Sequence, residues 1–238
     1  TMLAFVMTDA SLADGLLEGL LEKSVNASFN SITVDRDTST NDMALLLASG
    51  VAGNDVIAEG SEDLERFNRA VDEIMLDLAK MIVRDGEGAT KLVRIQVEGA
   101  VSDTDALVVA RSIATSQLVK TAFFGEDANW GRIIAAAGYA GIDLDPDQVS
   151  IRFDQVTMVE KGLGLGPEQE AIASEVLKKP EFTVTVSLGS GDGSASAMPW
   201  TGSGLKYWPV VANARSRSAM TTSDRIVSAI VQATLWQM

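Results

Sequence analysis

TMLAFVMTDA, residues 1–10, places a threonine directly before a short apolar run. The run from Met2 to Met7 predicts a buried strand, because short continuous apolar segments are typical of strands within a sheet. If Thr1 begins the mature chain, a hydroxyl and a free α-amine lie on one residue, and the amine can activate the hydroxyl as its base. A rigid strand after Thr1 would hold such a nucleophile in place. Trimming or cloning of the chain at Thr1 explains the first residue equally well.

The composition excludes several kinds of site. The 238 residues carry a formal net charge of −14, which disfavours binding to the phosphates of nucleic acid. The absence of cysteine excludes disulfides and thiol catalysis, and the absence of histidine excludes Ser–His and Cys–His pairs and the commonest metal ligand. A nucleophile here therefore needs a base other than imidazole. We predict no metal site, no membrane span and no signal peptide, and hence a soluble, cytoplasmic protein.

Helical and strand-like patterns alternate irregularly along the chain. This mixture predicts an α+β fold rather than a doubly wound sheet. The first helix is predicted to start with Ser11 as its cap and Asp14 reaching back. The longest helix is predicted from Ser61 to Arg84, with a buried stripe of residues three or four positions apart: Leu64, Phe67, Val71, Ile74, Leu78 and Ile82. Strands are predicted at 32–34, 43–48, 91–97, 118–124, 149–153 and 182–188.

Polar segments between these elements are the candidate sites. The eight residues 35–42 are typical of a solvated loop. Glu87 lies between Gly86 and Gly88, where the backbone can approach a ligand closely. The alternative for Glu87 is an exposed side chain in a helix C-terminal turn, and the residues by themselves favour that alternative. Residues 162–166, GLGLG, match neither a dinucleotide-binding motif nor a P-loop, so we interpret them as a turn.

Three long segments carry a family resemblance. They are TMLAFVMTDA (1–10), SVNASFNSITVDRDTSTND (24–42) and TAFFGEDANWGRIIAAAGYAG (121–141). They resemble the β chain of the bifunctional ornithine acetyltransferase/N-acetylglutamate synthase family, and the likeness extends from Thr1 to about Ala197. In that family a precursor cuts itself before a threonine, which becomes the nucleophile. Arg36 stands where the family usually has glycine, and it would be strained if that position needs a positive φ.

The resemblance implies a fold and a reaction. The fold would be a layered α/β/β/α sandwich with mixed sheets, of the N-terminal-nucleophile type, completed by a separate α chain from the same precursor. Thr1 would take the acetyl group of N-acetylornithine and pass it to glutamate, as in arginine biosynthesis. No cofactor would be required, and a bifunctional member would also use acetyl-CoA as co-substrate. The partner would be the α chain, in an α2β2 heterotetramer, and it would supply the oxyanion donors.

The resemblance also assigns substrate contacts. Glu87 matches an acidic residue that contacts the amine end of the substrate, and the family's loop at 35–42 lies near the active site. Asn213 and Ser218 match the family's C-terminal substrate contacts by their spacing, although their flanking residues differ. Thr1 would contact the substrate as well as attack it.

The C-terminal part departs from the family after Ala197. We predict an acetyltransferase β-chain domain at 1–218, divergent over 198–218, and an extension at 219–238 of unknown role. Genuine divergence and a frameshift near residue 198 both explain this end. The extension is predicted to contain a short apolar helix with Ile226, Val227, Ile230 and Leu235, and the region from Met198 onward is predicted to be the least well packed.

Two other functions stay open from the sequence. An N-terminal-nucleophile peptidase or amidase would share Thr1 and differ in whether water or an amine resolves the acyl-enzyme, and the segments at 24–42 and 121–141 argue against it. An inactive binding subunit is the second alternative, and the unusual C-terminal part is the feature that supports it.

Overall fold

The structure is a computed structural model that describes residues 1–34, 37, 39–202 and 227–231. The chain divides into two units, the first comprising Thr1–Asn30, Asp37–Met81 and Trp208–Met238, the second Ser31–Arg36 and Ile82–Tyr207. The elements of the described part, in chain order, are β1 (Leu3–Thr8), α1 (Leu16–Ala27), β2 (Ile32–Thr33), β3 (Met43–Ala48), α2 (Glu62–Arg84), β4 (Ala89–Ala100), α3 (Asp103–Thr115), α4 (Gln117–Phe124), α5 (Trp130–Gly138), β5 (Ser150–Phe153), β6 (Val156–Glu160), β7 (Leu163–Gly164), α6 (Pro167–Leu177), β8 (Glu181–Ser187), β9 (Gly193–Gly202) and β10 (Val227–Val231).

The first unit contains a three-stranded sheet with the order β1-β3-β10. Strand β1 runs parallel to β3 in the register Leu3↔Met43 to Thr8↔Ala48, and β10 is antiparallel to β3. Helix α1 contacts β3 and β10. Its buried side chains and those of the inward-facing strand residues form the core of this unit: Leu17, Leu20, Leu21, Val25, Ala4, Val6, Ala44, Leu46 and Ala48.

The first strand is predicted to be buried, but only one of its faces is. Its side chains alternate, with Ala4 and Val6 buried and the intervening Leu3, Phe5 and Met7 exposed by 57%, 52% and 61%. The reason is the twofold periodicity of a strand: one face of β1 meets the core of the first unit, and the other face does not. We call Leu3, Phe5 and Met7 the apolar face of β1.

The second unit contains a seven-stranded mixed sheet with the order β2-β9-β4-β8-β5-β6-β7. Its centre is the parallel pair β4 and β8, in the register Leu92↔Glu181 to Glu98↔Ser187, with β9 antiparallel on the other side of β4. A hydrophobic core joins this sheet to side chains of α3, α4, α5 and α6. Phe123 lies within it, with ring centroids 6.4 Å from Phe153 and 5.6 Å from Phe182, both edge-on.

The strand predicted at 118–124 is wrong, because this apolar segment forms helix α4. The Ser116 side chain caps it by accepting from the Val119 amide, and the buried residues Val119, Ala122 and Phe123 follow helical spacing. Short apolar runs do not distinguish a strand from a buried helix, and here the cap and the tertiary core decide between them.

Two details of the predicted helices also differ. Helix α1 begins at Leu16 after Gly15, which has φ 86° and no side-chain cap, so Ser11 is not its N-cap. The Ser11 backbone is instead bound by Asn54 and by the Ile57 amide. Helix α2 ends at Arg84 and carries Ser61 as its cap, as predicted. Ile74, however, is exposed. The fully buried residues of this helix occur at every fourth position: Val71, Met75, Ala79 and Val83.

The C-terminal predictions are tested in part. Residues 227–231 form strand β10 rather than a helix. Met198 lies in β9 and is buried, so the poorly packed region does not begin there. Strand β9 starts at Gly193, where a Cβ atom would lie 2.3 Å from the Ser102 carbonyl carbon, and this close approach requires glycine. Within the described ranges, no helix is long and apolar enough to cross a bilayer.

Candidate active site

The site begins at the edge of the first sheet where β1 and β3 start. Because the two strands are parallel, the residues that precede them lie side by side. The Met2 amide donates to Asp42 Oδ1 at 2.6 Å, and the Met43 amide donates to the Met2 carbonyl at 2.8 Å. Residue 2 is thus held through both its N–H and its C=O. These bonds fix the backbone that carries Thr1.

Asp42 is the buried charge of this edge, with 7% of its side chain exposed. Its Oδ1 accepts the Met2 amide, and its Oδ2 accepts the Ser39 amide at 3.2 Å. The α-amino nitrogen of Thr1 lies 4.0 Å from Oδ1. Backbone donors compensate a carboxylate for the loss of water on burial. Asp42 therefore joins the segment of Thr1 to the turn at residues 39–42.

The hydroxyl of Thr1 has a defined neighbour. Its Oγ1 lies 3.2 Å from Ser39 Oγ, within hydrogen-bonding distance, and either oxygen can donate. Ser39 Oγ also accepts the Asn41 amide at 3.2 Å. The Thr1 side chain is 44% exposed, so a small molecule can reach the hydroxyl. The arrangement presents an accessible hydroxyl on a restrained backbone, which suits nucleophilic attack on a carbonyl.

The other predicted site residues lie elsewhere or outside the described part. Glu87 belongs to the second unit, in the turn between α2 and β4, and is exposed. Among the described residues it has no hydrogen-bond or ion-pair partner. Asn213 and Ser218 lie outside the described residues, as does Arg36. The structure therefore brings Thr1 together with Ser39 and Asp42.

The polar segment at 125–132 serves the fold of the second unit. Asn129 caps α5 by accepting the Arg132 amide at 3.3 Å. The Arg132 guanidinium donates to the Leu118 carbonyl at 2.9 Å and to Thr121 Oγ1 at 3.2 Å, which ties α5 to α4. The Trp130 ring packs so closely on Gly164 that a Cβ atom there would lie 2.9 Å from the ring. These contacts give the segment a structural role.

The resemblance implies that the loop at 35–42 lies near the active site, but the sequence gives Ser39 and Asp42 no individual roles within it. The available signal was positional: Asp42 comes directly before β3, and Thr1 comes two residues before β1. If the two strands had been predicted to be parallel, their preceding residues would have been expected at one edge of the sheet.

Comparisons with known proteins identify the family. The profile of the ArgJ family matches residues 1–218. The chain belongs to the ArgJ family. It is 58% identical over 193 residues to the arginine biosynthesis bifunctional protein ArgJ of Syntrophotalea carbinolica, and 51% identical over 218 residues to that of Geobacter sulfurreducens. A crystal structure of the arginine biosynthesis bifunctional protein ArgJ from Bacillus halodurans matches with a TM-score of 0.81 at 42% identity.

The extent of these matches is informative. The aligned region covers 81% of this chain but 49% of the S. carbinolica protein, and 92% of this chain but 55% of the G. sulfurreducens protein. The chain thus spans about half the length of these ArgJ relatives. The crystal structure match covers 87% of this chain and 96% of the solved chain. The match and the mixed sheets confirm the predicted α+β class and the predicted family.

Proposed function

We propose that this chain is the β chain of a glutamate N-acetyltransferase that moves the acetyl group of N-acetylornithine to glutamate through an acetyl-Thr1 intermediate. Thr1 Oγ1 bonds to the acetyl carbonyl carbon as the C–N bond to ornithine breaks. The Thr1 hydroxyl proton passes through the α-amine to the ornithine nitrogen. The amine of glutamate then attacks the ester, its proton returns to Oγ1, and N-acetylglutamate leaves.

One observation carries this proposal: the exposed Thr1 hydroxyl stands on a backbone that a buried carboxylate restrains at residue 2. A nucleophile needs access to substrate together with a fixed orientation, and Thr1 has both. Membership of the ArgJ family supports the choice of acetyl donor and acceptor. Cleavage of the precursor before Thr1, which frees the α-amine, is part of the proposal. The ornithine route needs no cofactor, and acetyl-CoA is a second acetyl donor in a bifunctional enzyme.

The test is a transfer assay on the assembled enzyme with acetyl-labelled N-acetylornithine and unlabelled glutamate. Label is expected in N-acetylglutamate, and in a peptide containing Thr1 when glutamate is omitted and the reaction is quenched. Label released mainly as acetate in the presence of glutamate would instead indicate an amidase. Label on a different residue would refute the role of Thr1.

Glu87 is proposed to bind the amine end of the substrate. Its carboxylate is exposed and unpaired among the described residues, and it lies in a glycine-flanked turn. Asn213 and Ser218 are proposed as further substrate contacts on the family pattern alone.

Replacing Glu87 by glutamine is expected to raise the KM for N-acetylornithine roughly 10- to 150-fold, because a charge-assisted hydrogen bond contributes about 1.5–3 kcal/mol. Glu160→Gln is the matched control, since Glu160 is also an exposed carboxylate of the second unit. Steady-state kinetics of both variants give the comparison. If Glu87→Gln and Glu160→Gln have the same KM, Glu87 is only an exposed residue of a helix-terminal turn.

The partner is proposed to be the complementary segment of the precursor, the α chain, in an α2β2 assembly. The chain spans about half the length of its relatives, so a second segment of similar size accompanies it in those proteins. The apolar face of β1 leaves three large hydrophobic side chains exposed directly after Thr1. Clustered exposed hydrophobic groups of this kind mark interaction surfaces. We propose that the α chain covers this face and places its oxyanion donors beside Thr1.

Phe5→Ser is expected to weaken binding of the α chain roughly 10- to 150-fold, because burial of a large hydrophobic side chain contributes about 1.5–3 kcal/mol. Val51→Ser is the control, since Val51 is a more exposed hydrophobic residue of the same unit and lies outside the apolar face of β1. Co-purification and analytical ultracentrifugation measure the complex. Equal complex formation by Phe5→Ser and the unchanged chain would mean that the α chain binds elsewhere.

A further inference from the structure

We propose that Ser39 and Asp42 are positioning residues that orient the Thr1 hydroxyl for attack. The inference rests on the proposed function, since it takes Thr1 as the nucleophile. It assigns roles to two residues that composition and family motifs left without one.

Asp42 holds the backbone of two segments beside Thr1. It is buried, and each carboxylate oxygen accepts a backbone amide from a different segment: Oδ1 from Met2 and Oδ2 from Ser39. One side chain therefore sets the position of the residue after the nucleophile and of the residue beside its hydroxyl. A neutral or shorter side chain would release one or both segments, and small displacements of a reacting group reduce rates steeply.

Ser39 provides the contact to the reacting atom. A serine hydroxyl has one proton to donate and two lone pairs to accept with. The Asn41 amide occupies one lone pair at 3.2 Å, which leaves the proton and one lone pair for Thr1 Oγ1 at 3.2 Å. Attack requires the Thr1 proton to go to the α-amine. We therefore assign Ser39 as the donor, because this direction leaves the Thr1 proton free and stabilises the negative charge that develops on Oγ1.

Loss of the contacts of Ser39 or of Asp42 is expected to have the same kinetic signature. Neither side chain binds a part of the substrate remote from the reacting carbonyl. Loss of either one should therefore lower the rate at which acetyl-Thr1 forms, and should leave the KM for N-acetylornithine unchanged. A purely structural role would instead reduce the amount of assembled enzyme and leave the rate per assembled site unchanged.

The experiment compares variants in the assembled enzyme, prepared from two separately expressed segments so that no variant depends on self-cleavage. Acetyl-Thr1 formation is followed by rapid quench and mass spectrometry, with rates expressed per assembled site. Ser39→Ala is expected to slow the step about 10-fold, the scale of one lost hydrogen bond, and Ser39→Thr, which keeps a hydroxyl, to restore most of it. Asp42→Ala is expected to slow it roughly 100-fold. Asp42→Asn, which keeps one acceptor for the Met2 amide, should fall between Asp42→Ala and the unchanged enzyme.

The controls remove equivalent bonds away from Thr1. The Ser61 hydroxyl caps α2 by accepting the Leu64 amide, and the Asp154 carboxylate accepts the Thr183 amide at 2.9 Å. Ser61→Ala and Asp154→Asn are expected to lower thermal stability at most, with unchanged acetylation per site.

Three results would overturn the inference. The first is acetylation of Thr1 at the original rate in both Ser39→Ala and Asp42→Ala, which leaves the proposed function intact. The second is an acetylation rate in Ser39→Thr that is no higher than the rate in Ser39→Ala. The third is transfer by the unchanged enzyme without acetyl-Thr1, which removes the proposed role of Thr1 as well and is thereby distinguished from the first two. If Asp42→Ala does not assemble, the acetylation rates of Ser39→Ala, Ser39→Thr and Asp42→Asn test the positioning role.

Discussion

Replacing Thr1 with alanine is expected to lower acetyl transfer by roughly 10⁴- to 10⁶-fold, the scale of loss when a covalent nucleophile or its base is removed. The variant loses the hydroxyl that would bond to the acetyl carbon, together with its contact to Ser39 Oγ. The Met2–Asp42 hydrogen bond involves backbone and is retained. We therefore expect an enzyme that folds and assembles normally. The measurement is the initial rate of N-acetylglutamate formation.

Thr1→Ser is the matched control, because it keeps the hydroxyl and removes only a methyl group. It is expected to retain a readily measured rate and to become acetylated at residue 1. A Thr1→Ala enzyme with activity comparable to Thr1→Ser would exclude a covalent role for this residue. Both variants are prepared from separately expressed segments, since a change at Thr1 would also affect the proposed self-cleavage.

Phe123→Ala is expected to destabilise the second unit by about 3–5 kcal/mol, the loss measured for large aromatic residues removed from protein cores. Phe123 is 1% exposed and makes edge-on contacts with Phe153 and Phe182, so its removal leaves a cavity between α4 and the sheet. The neighbouring Phe124 is 42% exposed and provides an internal control. Thermal melting and urea denaturation of the Phe123→Ala and Phe124→Ala variants measure the difference.

Phe124→Ala should change stability by much less than Phe123→Ala, because it removes little buried surface. Equal destabilisation by the two substitutions would contradict the burial of Phe123 in the core.

Local signals predicted those parts of the fold that depend on neighbouring residues. Ser61 caps helix α2 as expected, because a cap requires only a polar side chain and the next turn. The same signal at Ser11 did not mark the start of α1. The segment 118–124 was misassigned, because its apolar run fits either a strand or a helix. Its structure depends on the core that Phe123 enters, which includes residues far away in sequence. The apolar run at residues 2–7 likewise could not indicate which face of β1 is exposed.

Some residues of the candidate site could be predicted from the sequence, and others depend on how the strands pair. Thr1 was predicted from its chemistry and from family motifs, and the structure describes its surroundings. Ser39 and Asp42 could not be assigned, because their closeness to Thr1 depends on the parallel pairing of β1 with β3, which no local pattern specifies. The substrate contacts proposed at Glu87, Asn213 and Ser218 remain predictions.

The Met2–Asp42 hydrogen bond also links the chemistry of this chain to its folding history. The two residues are 40 positions apart, so the bond can exist only after a long loop has closed and two strands have aligned. An unfolded chain contains the same threonine without the support that orients it. The reactivity that we propose for Thr1 therefore depends on the folded state, and a nascent or misfolded copy would lack the contacts that orient its hydroxyl.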